Sequence, residues 1–245
     1  MSWDWQVFCN STITGEATKS CFGHGGDITY LQWMLSAWGW TIAVALLALL
    51  IALALGLMIG TMRSLPSPAC KVFATCWTEL FRNVPLLVQI FLWYHVLPVF
   101  FPAFKNLSSF LLAAITLGLF TSARMAEQVR SGINSLPAGQ RQAATAMGFT
   151  LLQSYRHVIL PQALRIILPP LTSEAMNVIK NSSVAFAVSV TELTLFAMQA
   201  QEETSRGMEI YAGVTLLYVT TAIIINRLMA AIEARSRIPG QSVNA

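Results

Sequence analysis

Five stretches of the chain are long, apolar and nearly free of charge, and each is a candidate to cross a membrane, where about 20 apolar residues cover the hydrocarbon core. The first runs from Ile28 to Met62 without a charged residue and opens on Trp33, Trp38 and Trp40, the ring types that favour a membrane boundary. The second, Ala69 to Leu97, is interrupted by Glu79, Arg82 and Pro85. The third covers Leu107 to Ala123, the fourth Leu171 to Leu195 with Glu174 and Lys180 inside it, and the fifth Ile210 to Asn226. The pattern therefore predicts an all-α integral membrane protein with five transmembrane helices. The domain reading is a 1–27 segment outside, a transmembrane domain over 28–230, and a 231–245 tail inside.

Composition supports this reading. Apolar residues make up 55% and charged ones 11%, against roughly a quarter charged in an average soluble chain. The net charge of +4 points less to nucleic acid than to the excess of Lys and Arg that marks cytoplasmic loops. Arg63, Lys71, Arg124, Arg130, Arg141, Arg156, Arg165, Arg227, Arg235 and Arg237 all follow odd-numbered spans, whereas only Lys19, Lys105 and Arg206 lie in the opposite loops. The amino terminus is therefore expected outside and the carboxyl terminus inside, as an odd number of spans requires.

The opening Met1-Ser2-Trp3-Asp4 lacks a basic n-region, so the 1–27 segment reads as retained rather than as a signal peptide. Cys9 and Cys21 within it suit either a disulfide, in an oxidising compartment, or two free thiols. Cys70 and Cys76 read as packing residues. No GxxxxGK[ST] motif is present to cradle a nucleotide's phosphates. His24, His95 and His157 are too scattered for a metal or haem site, and no Ser/His/Asp arrangement can be argued. The expected protein is a non-catalytic scaffold for passage. A redox-enzyme membrane subunit and a secondary carrier working alone are the rivals from other classes.

Between the third and fourth spans lie some forty polar residues. Ser135-Leu136-Pro137 starts a short helix, with Pro early, where its missing N–H is harmless. Ala143, Ala144 and Met147 give that helix a small apolar face, and Gly148 can take the left-handed conformation that ends it. Thr150 and Gln153 form a capping box for a second helix, expected to stop before Pro161. The pattern alone suits an elbow docking in another protein's groove or an element lying on the membrane.

Gln142-Ala143-Ala144, then Gly148, then Val158-Ile159-Leu160-Pro161 resembles the loop of ABC-importer permeases written E-A-A-x3-G-x9-I-x-L-P. Gln142 departs from the Glu and Val158 from the Ile. Glu79-Leu80-Phe81-Arg82-Asn83-Val84-Pro85-Leu86-Leu87-Val88-Gln89 resembles the E-x-F-R-x-x-P-L-L-x-Q block of polar amino-acid permeases. Ala126-Glu127-Gln128-Val129-Arg130, Leu136-Pro137-Ala138-Gly139-Gln140 and Met176-Asn177-Val178-Ile179-Lys180-Asn181-Ser182-Ser183 resemble further blocks. The resemblance implies type I ABC importer permease architecture in a bacterial inner membrane, with residues about 135–161 as the loop that holds the coupling helix. It also implies a second permease, sibling or self, two ATPase subunits that carry ATP and Mg, and a periplasmic amino-acid-binding protein, with no cofactor in this chain. Gln142, Ala143, Ala144, Gly148, Leu160 and Pro161 are the positions expected to couple to an ATPase.

Leu117 to Arg124 is most similar to the glutamate/aspartate branch of that family. Arg124 is the candidate to meet an acidic substrate with a bidentate pair, and Glu127 is taken with it. The plainer readings are an Arg124–Glu127 pair at i,i+3, or an ordinary cytoplasm-side cation. Asn177, Lys180 and Asn181, with Glu174 near them, share a helix face, and Ser182 and Ser183 follow. That stripe is expected either to line a pathway or to bond across helices. A basic or neutral polar amino acid is the alternative substrate. Glu79 and Arg82 are expected to pair, Pro85 to break its helix, and Gly56 and Gly60 to permit a close helix approach. Glu202, Glu203, Arg206 and Glu209 would form either a docking patch or a solvated cluster.

Overall fold

A computed structural model describes residues 3–18, 20–22 and 27–236; Lys19, His24 and Arg237, and with them the end of the tail, lie outside the described residues. The long elements are all helical. They are α1 (Tyr30–Ser64), α2 (Pro68–Asn83), α3 (Leu86–Phe100), α4 (Ser109–Asn134), α5 (Ala138–Ala146), α6 (Leu151–Val188), α7 (Leu193–Thr204) and α8 (Gly207–Ser236). Three helices are long and apolar enough to cross a membrane: α1, α4 and α8. The bent pairs α2 with α3 and α6 with α7 make five if each is one span, in agreement with the sequence reading. Pro85 marks the first break, where Val84 is extended.

The fourth span differs from its expected form. α6 begins at Leu151 and runs through Pro161, Pro169 and Pro170, so the elbow's second helix does not stop before Pro161. A π turn over Tyr155–Ile159 widens the hydrogen-bond ladder just ahead of Pro161, and the helix carries through a residue without an N–H. The helix tightens to a 3₁₀ turn over Ser183–Val188 and ends at Ser189, whose φ is 58°.

Two compact units divide the chain: residues 1–47, 86–117 and 179–223 form one, and 48–85, 118–178 and 224–245 the other. In the first unit a 3₁₀ turn, Trp5–Cys9, places Val7 and Phe8 in a core with Tyr30, Met34, Leu193, Phe196, Ile210 and Val214. Cys9 and Cys21 are joined by a disulfide, the question that spacing left open. Arg206 pairs with Asp4 and Glu209, and Glu203 accepts from the Tyr30 hydroxyl at 2.8 Å. Much of the charge around the turn between α7 and α8 thus ties down the amino-terminal segment and the start of α1.

The buried Glu192 caps α7, accepting the N–H groups of Thr194 at 2.9 Å and Leu195 at 3.1 Å and the Tyr218 hydroxyl at 3.2 Å. Leu193 N–H donates to Thr41 Oγ1 of α1 at 3.1 Å. The start of α7 is therefore bonded to both α1 and α8.

In the second unit α1 and α4 touch through glycine. A Cβ on Gly56 would lie 2.6 Å from Met125 Cβ, and one on Gly60 would lie 2.6 Å from both the Ala126 carbonyl oxygen and Val129 Cβ. The GxxxG pair makes the close approach expected of it. Behind that contact Met125, Val129, Ile133, Tyr155, Ile159, Ala163 and Ile167 form the core that packs α4 against α6. Glu79 and Arg82 do not form the expected ion pair. Glu79 accepts from Asn83 Nδ2 at 2.6 Å instead, because Asn83 stands one turn above it on the same exposed side of α2.

Candidate substrate contacts and coupling elbow

The last three turns of α4 carry Arg124, Glu127, Gln128 and Arg130, all within the second unit. The i,i+3 pair of Arg124 with Glu127 is not made. Arg124 Nε instead lies 3.2 Å from Glu174 Oε2 on α6, and Gln128 Nε2 donates to Glu174 Oε1 at 3.2 Å. Glu127 is taken by Arg63 at the end of α1 and by Arg130, whose Nε lies 3.1 Å away. A carboxylate buried between helices needs such partners, since an unpaired charge there is expensive. The Glu174 side chain is only 6% exposed, whereas Arg124 is 38% exposed. One side of the guanidinium is thus covered by protein and the rest is open. Gln128 Oε1 is buried with no hydrogen-bond partner.

The other predicted pathway residues extend along α6. At about 100° per residue, Glu174, Asn177 and Asn181 fall within about 60° of one another, and Lys180 lies about 60° beyond Asn177. Glu174 is buried, Asn177 and Asn181 are half-buried and Lys180 is exposed. Asn177 belongs with Arg124 and Glu127 in the second unit, whereas Lys180, Asn181, Ser182 and Ser183 fall in the first. Ser182 is fully buried and donates to the Ile179 carbonyl, and Ser183 donates to that of Lys180, both at 2.7 Å. These hydroxyls bond to their own helix where it tightens into the 3₁₀ turn.

The elbow is built as a capped pair. α5 ends in a Schellman motif: Phe149 N–H reaches the Ala144 carbonyl at 3.1 Å and Gly148 N–H that of Thr145 at 2.9 Å. Gly148 has φ +80°, with open space where a Cβ would be. Thr150 and Gln153 make the reciprocal capping box. Of the residues expected to form an apolar face, only Ala144 is buried; Gln142 and Ala143 are exposed, and Met147 is 74% exposed. Leu151 and Leu152 are exposed beside it, Leu160 is half-buried against the core and Pro161 is exposed.

Tyr155 holds this elbow to the unit. Its hydroxyl donates to the Ser64 carbonyl at 2.7 Å, and the Arg141 guanidinium stands 5.9 Å from its ring centre. Sequence reasoning missed Tyr155, Gln128 and the Arg63–Glu127 contact. For the last, the sequence showed an acid one turn from both Arg124 and Arg130, but nothing in it pointed to Arg63. Nothing in the sequence marked the first two.

The fold defines an all-helical membrane chain with a capped elbow between two candidate spans. The chain belongs to the family "Binding-protein-dependent transport system inner membrane component", whose model matches residues 52–238. It is thus a non-catalytic, multi-pass permease component of an inner membrane, driven by an ABC ATPase partner.

Among curated relatives it is similar to the glutamate/aspartate import permease protein GltJ of Escherichia coli K12, with 39% identity over 98% of this chain and 97% of the relative. The probable glutamine ABC transporter permease protein GlnM of Bacillus subtilis is 33% identical over 80% of this chain and 89% of its own length. A solved amino acid ABC transporter with histidines superposes with a TM-score of 0.75 at 31% identity, covering 84% of this chain and 95% of that one.

Proposed function

We propose that this chain is one permease subunit of an ATP-driven importer for acidic amino acids, glutamate and aspartate, and that the substrate passes Arg124. The observation that carries the reading is the 3.2 Å contact between Arg124 and Glu174. Glu174 presents to Arg124 the group that an acidic side chain would present. A substrate carboxylate approaching the open side of the guanidinium competes for it and can bind through two parallel N–H donors. Asn177 continues the polar stripe on α6, with Glu127 held beside Arg130 as a fixed neighbour.

The remaining parts follow from the resemblance and the elbow. A second permease, two ATPase subunits binding ATP and Mg, and a periplasmic amino-acid-binding protein complete the importer. Exposed Met147, Leu151 and Leu152 fit the cleft of an ATPase subunit. The ten basic residues lie on the cytoplasmic side, with the disulfide-closed amino terminus in the oxidising periplasm. ATP binding closes the ATPase pair, moves the elbow and reorients the cavity by alternating access.

The test is ATP hydrolysis by the reconstituted complex with its binding protein and each of twenty amino acids in turn. Glutamate and aspartate are expected to stimulate, and Arg124→Gln to remove the stimulation while leaving basal hydrolysis and assembly intact. Stimulation by histidine, arginine or glutamine instead would refute the role given to Arg124. One observation favours that second reading: Glu174 is itself a carboxylate, and a cationic substrate could take the place of Arg124 upon it.

A further inference from the structure

The amino-terminal segment ends in an aromatic ladder that the transport reading does not use. Trp3 and Trp5 stack at 5.4 Å with planes 11° apart, and Trp5 stacks on Phe8 at 6.2 Å. Exposure falls along the ladder from 55% at Trp3 and 50% at Trp5 to 8% at Phe8. The segment is fixed in place: the Cys9–Cys21 disulfide closes it, and Asp4 caps its 3₁₀ turn. Asp4 N–H also donates to Glu209 at 2.9 Å, and its carboxylate meets Arg206 at 3.4 Å.

These contacts set the depth of the ladder. Asp4 is held level with Arg206 and Glu209, the last charged residues before the apolar run that begins at Ile210. Phe8 is level with Gly213, where its ring would lie 2.7 Å from an added Cβ. The 3₁₀ turn thus lies alongside the first two turns of α8, across the point where charge gives way to apolar sequence. On α8 the exposed apolar surface continues through Tyr211, Leu216, Val219 and Ile223. Indole rings, with an apolar body and one N–H donor, favour this boundary between headgroups and hydrocarbon.

We propose that the Trp3–Trp5 stack is a membrane-interface anchor, bedding the disulfide-closed cap in the headgroup region of the bilayer leaflet on its own side. The cap adds a lateral foot to the end of α8 and holds Asp4 where it can pair with Arg206. This rests on the chain's membrane location and not on its substrate. A docked binding protein is the competing occupant, and the depth of the rings argues against it. Protein docking would favour aromatics standing clear of the charged residues, not level with them.

The test places a photoreactive p-benzoylphenylalanine at Trp5 in the whole importer, reconstituted in phospholipid vesicles with the binding protein present. The expected product is a phospholipid adduct, read as the corresponding mass increase on the amino-terminal peptide. A cross-link to the binding protein or to the second permease, or no lipid adduct while the cap keeps its disulfide, would overturn the proposal. A second measurement guards against misfolding by the photoreactive group. In vesicles of brominated phospholipid, the fluorescence owed to Trp3 and Trp5, taken as the difference between the native protein and a Trp3→Phe, Trp5→Phe variant, should be quenched. A difference as large in brominated as in plain vesicles would also overturn it. Neither readout depends on transport, so both stand if the substrate is not an acidic amino acid.

Discussion

Two glycines of α1 offer a controlled test of how this permease is packed. Gly60→Ala puts a Cβ 2.6 Å from the Ala126 carbonyl oxygen and from Val129 Cβ, although ordinary van der Waals contact begins near 3.4 Å. A backbone carbonyl cannot rotate away, so α1 and α4 must part by several tenths of an ångström. Gly39→Ala, on the same helix, meets nothing within 4 Å. Both substitutions gain about 0.5–1 kcal/mol from replacing glycine in a helix interior, and overpacking costs about 1–3 kcal/mol only at Gly60.

The expected net effects are a loss of about 1–2 kcal/mol for Gly60→Ala and a gain of up to about 1 kcal/mol for Gly39→Ala. For a chain of this size 1 kcal/mol shifts Tm by about 2–4 °C. The assay is thermal inactivation of the purified complex in detergent, read as its midpoint. Gly60→Ala should fall by about 2–8 °C and Gly39→Ala should hold or rise. Equal midpoints for the two variants would refute the argument that glycine sets the α1–α4 distance.

Other outcomes are specific enough to fail. Glu174→Gln removes the charge that neutralises Arg124 and should tighten acidic-substrate binding severalfold, read as a lower KM for transport; a raised KM would show that Glu174 positions Arg124 instead of competing for it. Tyr155→Phe removes the 2.7 Å bond to the Ser64 carbonyl and should destabilise the elbow by about 1 kcal/mol, seen as faster amide exchange over residues 138–153 and weaker coupling of hydrolysis to transport. Glu209→Gln removes the carboxylate that accepts the Asp4 N–H at 2.9 Å and faces Arg206, and it should loosen the amino-terminal cap, seen as faster limited proteolysis of that segment; unchanged proteolysis would show that the disulfide alone holds it.

The sequence made the elbow legible because its chemistry is local. A capping box and a glycine that must turn left-handed are written in consecutive residues, and Thr150, Gln153 and Gly148 do what those rules require. The spans were legible for a similar reason, since the absence of charge is read along the chain. Helix ends near proline were not. Pro161, Pro169 and Pro170 stop nothing: a π turn precedes the first, and α6 runs on through the other two. The partners of charges were the least legible. Arg124 had Glu127 one turn away and chose Glu174, which is 50 residues distant in sequence but adjacent once α4 packs on α6. Such choices depend on the helix crossing, and helical periodicity holds no record of it.

That crossing also explains how an elbow can act on a distant charge. From Leu151 to Glu174 the helix α6 is unbroken, about 35 Å at 1.5 Å per residue, and its foot is the capping box of the elbow itself. Tyr155 and Ile159 pin its lower turns into the core with Val129 and Ile133, and Tyr155 ties it to the end of α1. On the proposed coupling, a push on exposed Met147 or Leu152 would move α6 together with the core that Ala163, Ile167 and Leu171 share with α4. Pro161, Pro169 and Pro170 each leave the α6 ladder without a donor, and below them the π turn at Tyr155–Ile159 widens the ladder at the lower turns. A compliant turn there lets the foot reorient without breaking the helix above it. Glu174 sits at the far end, 3.2 Å from a guanidinium fixed to a different helix. The pair is therefore expected to part only if α6 shifts against α4, and the Glu174→Gln variant reads the contribution of that contact directly.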